Sequence, residues 1–333
     1  MITLDGKEGG GQILRTALGL SVLTQKPFKL TNIRSNRPKP GLKEQHIQCI
    51  QATTKLCDAE VQGNYFNSQE IEFKPNPISQ SNLNVKIGTA GSQALVLQTL
   101  LIASINHELK IDIIGGATNT FFAPPISHMQ HIFYPLLEKM DYKISTKITK
   151  HGFYPKGGAE STTEIKASKL RPLNIIDKGT PERMIIITIA SKDLGKAKVA
   201  GRLVKEGKTI IGDHFSLPVK AVTSYVESEN TGCGLQMILE TSTSIFGADG
   251  LGKEGDPAEE ISKQTGKELI EDFENGSVDH FTADMLLPYI GLAGGSYKAP
   301  KITNHIKTSI KVIEQFLDVK FTIEENVITA KSF

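Results

Sequence analysis

No tryptophan occurs in this 333-residue chain, cysteine occurs only three times, and no apolar run is long enough to cross a bilayer. The longest apolar helical candidate, Ala94 to Ile105, is interrupted by Gln98, Thr99 and Ser104, so no membrane segment is expected. Cys49, Cys57 and Cys233 are odd in number and lack metal-ligand spacing, which excludes a disulfide framework and a zinc module. Cys49 and Cys57 lie eight apart in a helical stretch and read as core thiols in a reducing compartment. Charge of one sign is lacking too. With 38 Lys and Arg against 36 Asp and Glu, a net charge of +2 is too small for a protein that coats long nucleic acid. The start, Met-Ile-Thr-Leu-Asp-Gly-Lys, shows no charged region followed by an apolar stretch, so no secretion signal and a cytoplasmic location are expected. No Gly-x-x-x-x-Gly-Lys-Ser/Thr follows a strand, and the glycine-rich run Gly247 to Gly255 reads as a flexible connection rather than a phosphate loop.

What is present is a folded composition, 39% hydrophobic and 22% charged, on a chain long enough for one large core and a second domain, or for repeated units. The charge is unevenly spread. Residues 1 to 50 carry eight Lys or Arg against three Asp or Glu, whereas residues 227 to 279 carry three against thirteen, so an anionic ligand is steered to the N-terminal part. Within that part, Arg34-Ser-Asn-Arg-Pro-Lys-Pro-Gly-Leu-Lys-Glu-Gln-His46 reads as a stiff anion grip. Pro38 and Pro40 restrict their own φ and push Arg37 and Lys39 towards extended backbone, and a guanidinium held on such a loop suits two phosphate oxygens at once. A lone Arg-x-x-Arg would read as a wet basic loop, and the neighbouring motifs decide against that.

Internal repetition is visible once the glycine turns are aligned. Gly10-Gly11-Gln12 opens a helical run ending in the strand Phe28 to Ile33, and Gly91-Ser92-Gln93 does the same before Leu109 to Ile114, both 81 positions on. A second helix follows each strand, Gly41 to Cys57 and Pro125 to Met140. A third copy runs from Asp284 through an extended Ser296 to Ala299 and a helix at Asn304 to Leu317 into a strand at Val319 to Ile323. The unit is helix-strand-helix-strand, with helices on one face of a sheet. Between the second and third copies lies a segment of different character, opened by the β-branched run Met184 to Ile189, continued by strands at Ala221 to Glu227 and Gly234 to Glu240, and closed by an acidic helix at Pro257 to Phe273.

Several residues could carry chemistry. The first strand runs into Gly6-Lys-Glu-Gly-Gly-Gly-Gln12 and then a helix, a glycine turn that lets backbone approach an anion. Gln12 and Arg15 share one helical face, and Glu8 just ahead makes sense beside an anion if a divalent cation sits between them. Gln98 lies mid-helix among leucines, either satisfied by backbone or in contact with a ligand. Ile306, Ile310, Ile313 and Leu317 form an apolar stripe, so the helix is expected to begin with Asn304 as cap and His305 in its first turn. The positive helix end there disfavours imidazolium and attracts phosphate, which makes His305 a candidate nucleophile.

Taken together, Glu8-Gly-Gly-Gly-Gln-Ile-Leu-Arg15, Ile33-Arg-x-x-Arg-Pro-x-Pro-Gly-Leu-x-x-Gln-His46, Gly91-Ser-Gln-x-Leu-Val-Leu-Gln98 and His151-Gly-Phe-Tyr-Pro-Lys-Gly-Gly158 resemble the RNA 3′-terminal phosphate cyclase family, and with the Ala283-Asp284 and His305 blocks the match covers nearly the whole chain in order. The resemblance implies an α/β fold (α+β layered) of three repeated units, each two helices on a four-stranded sheet. It places a cyclase core at 1–181 and 275–333 and an inserted small α/β domain at 182–274. It implies ATP, Mg2+ or Mn2+ and RNA with a 3′-phosphate end as cofactors and partners, a monomer or homodimer, and no membrane. It further implies that His305 takes up AMP from ATP, that Glu8 ligates the metal, and that Arg15, Arg34, Arg37, Gln45 and His46 hold phosphates and reacting oxygens. Gln12, Gln98, Phe281, Thr282, Ala283, Asp284 and Met285 would border the nucleotide. The family's pattern implies Asp-Gln where this chain has Asp284-Met285, so one polar contact to nucleotide is expected to be missing, which bears on nucleotide preference and not on the reaction class. Two rival readings are weighed against the enzyme: a non-catalytic cyclase-like factor in ribosome assembly, a branch that lacks the nucleophilic histidine, and the enolpyruvyl transferases, which are similar in repeat plan. His305 and the Arg34 to His46 block favour the cyclase.

Overall fold

The computed structural model describes residues 1–332. The first unit consists of β1 (Ile2–Asp5), α1 (Gly11–Thr24), β2 (Phe28–Thr31), α2 (Glu44–Cys57), β3 (Glu60–Gln62) and β4 (Ile71–Lys74), and its sheet has the order β1-β2-β4-β3. β1 and β2 are parallel, and β4 runs antiparallel to both of its neighbours. The second unit repeats this plan with β5 (Asn82–Ser92), α3 (Gln93–Ala103), β6 (Leu109–Ala117), α4 (Ile126–His128), α5 (Tyr134–Glu138), β7 (Ile144–Lys150) and β8 (Glu160–Ile165), in the order β5-β6-β8-β7. A π-helical turn, Met129–Phe133, joins α4 to α5. Turns of this kind bulge the helix and often lie at functional sites, and Phe133 here faces the pocket described below.

The third unit begins at β9 (Leu173–Ile175), earlier than its helices suggest. After it come β10 (Pro181–Ser191), α6 (Val199–His214), β11 (Val219–Val226), β12 (Cys233–Thr241), β13 (Ile245–Leu251) and α7 (Ala258–Asn275). Only then does the unit resume with α8 (His280–Met285), α9 (Leu287–Ala293), β14 (Gly295–Lys298), α10 (Asn304–Phe316), β15 (Val319–Glu324) and β16 (Val327–Ser332). β9 pairs in parallel with β14, and the order β9-β14-β16-β15 repeats the first two sheets. The divergent segment therefore interrupts the third copy after its first strand, rather than lying between the second and third copies as the sequence repeats suggest. A three-residue strand has too little pattern to be seen without its partner.

The interrupting segment has its own sheet, β11-β10-β12-β13, and its own apolar cluster. The alternation of β10 explains how it is seated. Met184, Ile186 and Ala190 face α6 and α7, while Ile185 and Ile187 turn to the core of the repeats. The glycine-rich run expected to be a flexible connection is, in its first part, the strand β13. Gly247 and Gly250 let this strand approach its neighbours, since a Cβ would lie 2.8 Å from Ile132 at the first and 2.6 Å from Ile261 at the second.

The helices of the three units converge on one core. Its fully buried members include Leu18, Leu100, Leu136, Ile290 and Ile313, and burial of each such side chain stabilises by roughly 1.5–3 kcal/mol. α1 and α3 cross at Gly19, where a Cβ would sit 2.7 Å from Ile102 Cβ, so only glycine permits the approach. Cys49 and Cys57 are buried free thiols in this core, as expected. No helix among the described residues is long and apolar enough to cross a membrane.

Candidate active site

The second helices of the three units carry His46, His128 and His305 in their first turns, at corresponding places in the repeat. Their fates differ because their surroundings differ. His128 is fully buried with Nε2 3.5 Å from Asp279 Oδ1, so it belongs to the seam with the interrupting segment. His46 and His305 instead face the glycine turn ahead of α1. A Cβ added at Gly10 would lie 3.6 Å from His305 Nε2 and 3.8 Å from Arg37 Nη2, and one at Gly11 would lie 2.4 Å from His46 Nε2 and 2.9 Å from Arg15 Nη1. A side chain is thus excluded at Gly11 by the buried His46 ring, and the bare backbone of the turn is ringed by two imidazoles and two guanidiniums.

Local structure holds each group. Thr303, not Asn304, caps α10, its hydroxyl accepting from the Ile306 amide at 3.1 Å. Asn304, now inside the first turn, donates to the Glu8 carbonyl at 2.5 Å and ties the helix start to the glycine turn. Gln12 Oε1 accepts from the Gly10 amide at 3.0 Å, and its Nε2 donates to Thr308 on α10 at 3.0 Å. His305 Nδ1 lies 3.3 Å from Asp284 Oδ2, which turns Nε2 to the open side.

His46 is a donor here. Its Nδ1 accepts from the Lys43 amide at 2.9 Å, so the ring proton sits on Nε2, facing Gly11 and Arg15. Burial, reinforced by Arg15, Arg34 and Lys43, pulls its pKa down to about 3 and keeps it neutral. Burial also lowers the Arg15 pKa, with Cys49 and Asp284 opposing, and the guanidinium remains a cation. Arg34 directs Nη1 to the carbonyls of Lys39 and Gly41, both at 3.1 Å, and so braces the loop on which Arg37 is presented.

Beside this polar cluster opens a pocket of about 140 Å3 lined by Gln12, Arg15, Gln98, Asp284 and His305 at its polar end. Leu95, Ile102, Phe133, Phe281, Met285 and Tyr289 make its apolar walls. The structure thus gathers Gln12, Arg15, Gln98, Phe281, Asp284, Met285 and His305 in one place, with His46 and Arg37 at the adjoining turn. It does not gather Thr282 and Ala283. Thr282 donates its amide and hydroxyl to Asp279, both at 2.8 Å, and both residues are buried on the side of α8 away from the pocket, which its 281, 284 and 285 positions face. Gln45 is exposed on α2. Gln98 Nε2 lies 3.0 Å from Met285 Sδ, a weak acceptor.

Glu8 is exposed, with its carboxylate 3.5 Å from Lys311 Nζ. Among the described residues no group of three or more His, Cys, Asp or Glu side chains is placed to hold a metal ion. A lone exposed carboxylate suits a Mg2+ ion that keeps most of its waters and takes its other ligands from substrate phosphates, and it does not suit an all-protein cage.

Of the apolar walls, only Phe281 and Met285 were expected from the sequence. Leu95, Ile102, Phe133 and Tyr289 belong to ordinary helical stripes of different units, and only their convergence makes a pocket.

Comparison with known proteins agrees with this arrangement. The family model described as RNA 3′-terminal phosphate cyclase matches residues 6–323. The chain is 37% identical over 330 residues to the RNA 3′-terminal phosphate cyclase of Thermococcus kodakarensis, covering 98% of this chain and 95% of that protein. It is 37% identical over 331 residues to that of Pyrococcus abyssi, at 98% and 96% coverage, and 35% identical over 335 residues to that of Methanosarcina barkeri, at 98% and 97%. With the family model matched over residues 6–323 and relatives 37% identical over 98% of its length, the chain belongs to the RNA 3′-terminal phosphate cyclase family.

Proposed function

We propose that this protein is an ATP-dependent RNA 3′-terminal phosphate cyclase that works through a covalent adduct of AMP on His305. The observation that carries the reading is the setting of His305, with Nδ1 held by Asp284 and Nε2 facing Gly10 beside Arg37. With Asp284 accepting from Nδ1–H, the nucleophilic lone pair lies on Nε2.

Three displacements at phosphorus follow. His305 Nε2 attacks the α-phosphorus of ATP, an N–P bond forms, and the bond to pyrophosphate breaks. An oxygen of the RNA 3′-phosphate then attacks that phosphorus, which releases the histidine and joins RNA to AMP through a pyrophosphate link. Finally the neighbouring 2′-hydroxyl attacks the RNA phosphorus, AMP departs, and the 2′,3′-cyclic phosphodiester closes. The first two steps install a leaving group that a phosphomonoester lacks.

The protein's own groups account for the rest. The glycine turn admits phosphate to bare backbone, Arg15 and Arg37 supply fixed cations, and His46 supplies a neutral N–H donor rather than a base. Phe281, Leu95 and Tyr289 offer apolar walls to a nucleobase. Glu8 would hold Mg2+ or Mn2+, which supplies charge neutralisation on the leaving phosphates.

Incubation with ATP, Mg2+ and an RNA labelled in its 3′-phosphate is expected to make that label resistant to phosphatase, only when ATP is present. In parallel, His305→Ala should fold yet take up no AMP. A label that stays sensitive, beside tight RNA binding, favours a non-catalytic role, and AMP uptake that persists in the variant refutes the assignment of His305.

A further inference from the structure

We infer that Tyr65 and Phe66, together with Lys39 and Lys43, form a stacking platform for the nucleotides that precede the 3′ end of a single-stranded RNA. The inference rests on the reading of the site as one that holds an RNA 3′-phosphate, and it adds a subsite to it.

The first observation is an exposed aromatic pair. The side chains of Tyr65 and Phe66 are large and apolar, yet they stand 64% and 51% exposed on the turn between β3 and β4. The second is that this turn and the arginine loop form one body. The Asn67 amide donates to the Leu42 carbonyl at 2.9 Å, the Leu42 amide to the Ser68 carbonyl at 2.9 Å, and a Cβ at Gly41 would meet the Asn67 carbonyl at 2.2 Å. Lys43 crosses between them, with Nζ 2.5 Å from Asn67 Oδ1 and 5.0 Å from the Phe66 ring centroid.

The third observation is uncompensated charge. Arg34, Arg37, Lys39 and Lys43 take part in no ion pair with a carboxylate among the described residues. Burial lowers the Lys43 pKa, and Arg34 and Lys39 lower it further, so the cations act on one another with no carboxylate between them. An anion is needed to complete such a cluster, and the exposed rings beside it need flat apolar faces.

Single-stranded RNA offers both, at the spacing of one phosphate per base. Proteins that hold single strands combine a basic track with aromatic rings on which successive bases stack, and because every base has a π-face the contact is indifferent to sequence. A second exposed ring, Phe122, beside the half-buried Phe121, is unsuited to this role. It borders a cleft in which the carboxylates of Asp256, Glu260 and Glu268 face a single cation, Lys253, 5.2 Å from the Phe121 ring centroid, so the cleft favours no phosphate chain. Arg37 connects the platform to the reaction centre, since it rises from the same loop and reaches the Gly10 turn.

The test uses the whole protein and fluorescent oligoribonucleotides of one to five nucleotides that end in a 3′-phosphate. Wild-type affinity should rise at least tenfold from one nucleotide to three and then level off. In the Tyr65→Ala/Phe66→Ala double variant the rise should vanish, at a loss of about tenfold per ring, while AMP uptake from ATP stays at the wild-type rate. Phe66→Trp should restore part of the rise. A double variant that keeps the full length dependence, or a wild type that shows none while it takes up AMP and prefers a 3′-phosphate over a 3′-hydroxyl, overturns the platform alone. A wild type that takes up no AMP and shows no such preference overturns the reading of the site and the platform with it.

Discussion

Asp284 links the helix cap of α10 to the ring of His305: its Oδ1 accepts from the Thr303 hydroxyl at 3.3 Å, and its Oδ2 lies 3.3 Å from His305 Nδ1. One carboxylate therefore positions both the first turn of the helix and the imidazole that the turn carries. Asp284 reaches them from α8, two helices earlier in the same unit.

Asp284→Asn should slow AMP uptake on His305 by tenfold or more, because the amide can donate to Nδ1 and stabilise the tautomer with its proton on Nε2. Circular dichroism should be unchanged. Measured by transfer of labelled AMP to protein, a rate within twofold of wild type would show that Asp284 does not set the ring.

Arg37→Lys keeps the charge but loses the planar fork. The expected result is a loss of about tenfold to a hundredfold in transfer of AMP to a 3′-phosphorylated RNA, with less than threefold change in self-adenylylation. Single-turnover measurement of the two steps checks this, and equal slowing of both counts against a contact with the RNA phosphate.

His46 makes stability depend on pH in a predictable sense. Its pKa is about 3 in the folded chain and about 6.5 in the unfolded one, so the stability it preserves is fully present above pH 6.5. Below that value the unfolded chain takes up a proton that the folded chain refuses, and stability falls towards pH 3. His46→Asn, whose Oδ1 can still accept from the Lys43 amide, should narrow the difference in urea stability between pH 7 and pH 5 by about 1–2 kcal/mol. An unchanged difference would mean that the ring is protonated in the native state.

Tyr289 is 1% exposed, and its hydroxyl has no hydrogen-bond partner among the described residues. Removing an unpaired buried hydroxyl relieves its desolvation, so Tyr289→Phe should leave the free protein as stable as wild type or more stable by up to about 1 kcal/mol. Thermal unfolding without nucleotide is the check. A loss above that size would reveal a partner for the hydroxyl.

The legible and illegible parts of this protein divide by range. The place of His305 in the first turn of a helix was legible because the stripe Ile306, Ile310, Ile313 and Leu317 marks the helix and its start, although Thr303 takes the cap that was expected of Asn304. The choice between adjacent capping residues depends on which hydroxyl or amide is drawn off elsewhere. Here Asn304 is drawn to the Glu8 carbonyl, 296 positions away in sequence. β13 went unread because it carries two glycines and is stabilised by its neighbours in the same small sheet.

Local pattern alone determined the repeated alternation of helix and strand, the glycine turn before α1 and the arginine loop with its proline brackets, because periodicity, φ restriction and turn chemistry act over a few residues. Tertiary structure decided what the three equivalent histidines became. The same place in the repeat holds a buried seam group at His128, a neutral donor at His46 and a ring turned outward by Asp284 at His305. It also decided where the third unit is interrupted, since that depends on a parallel pairing of β9 with β14 across more than a hundred residues. Burial and charge at a point in space are sums over chain segments far apart in sequence, and no short stretch contains them.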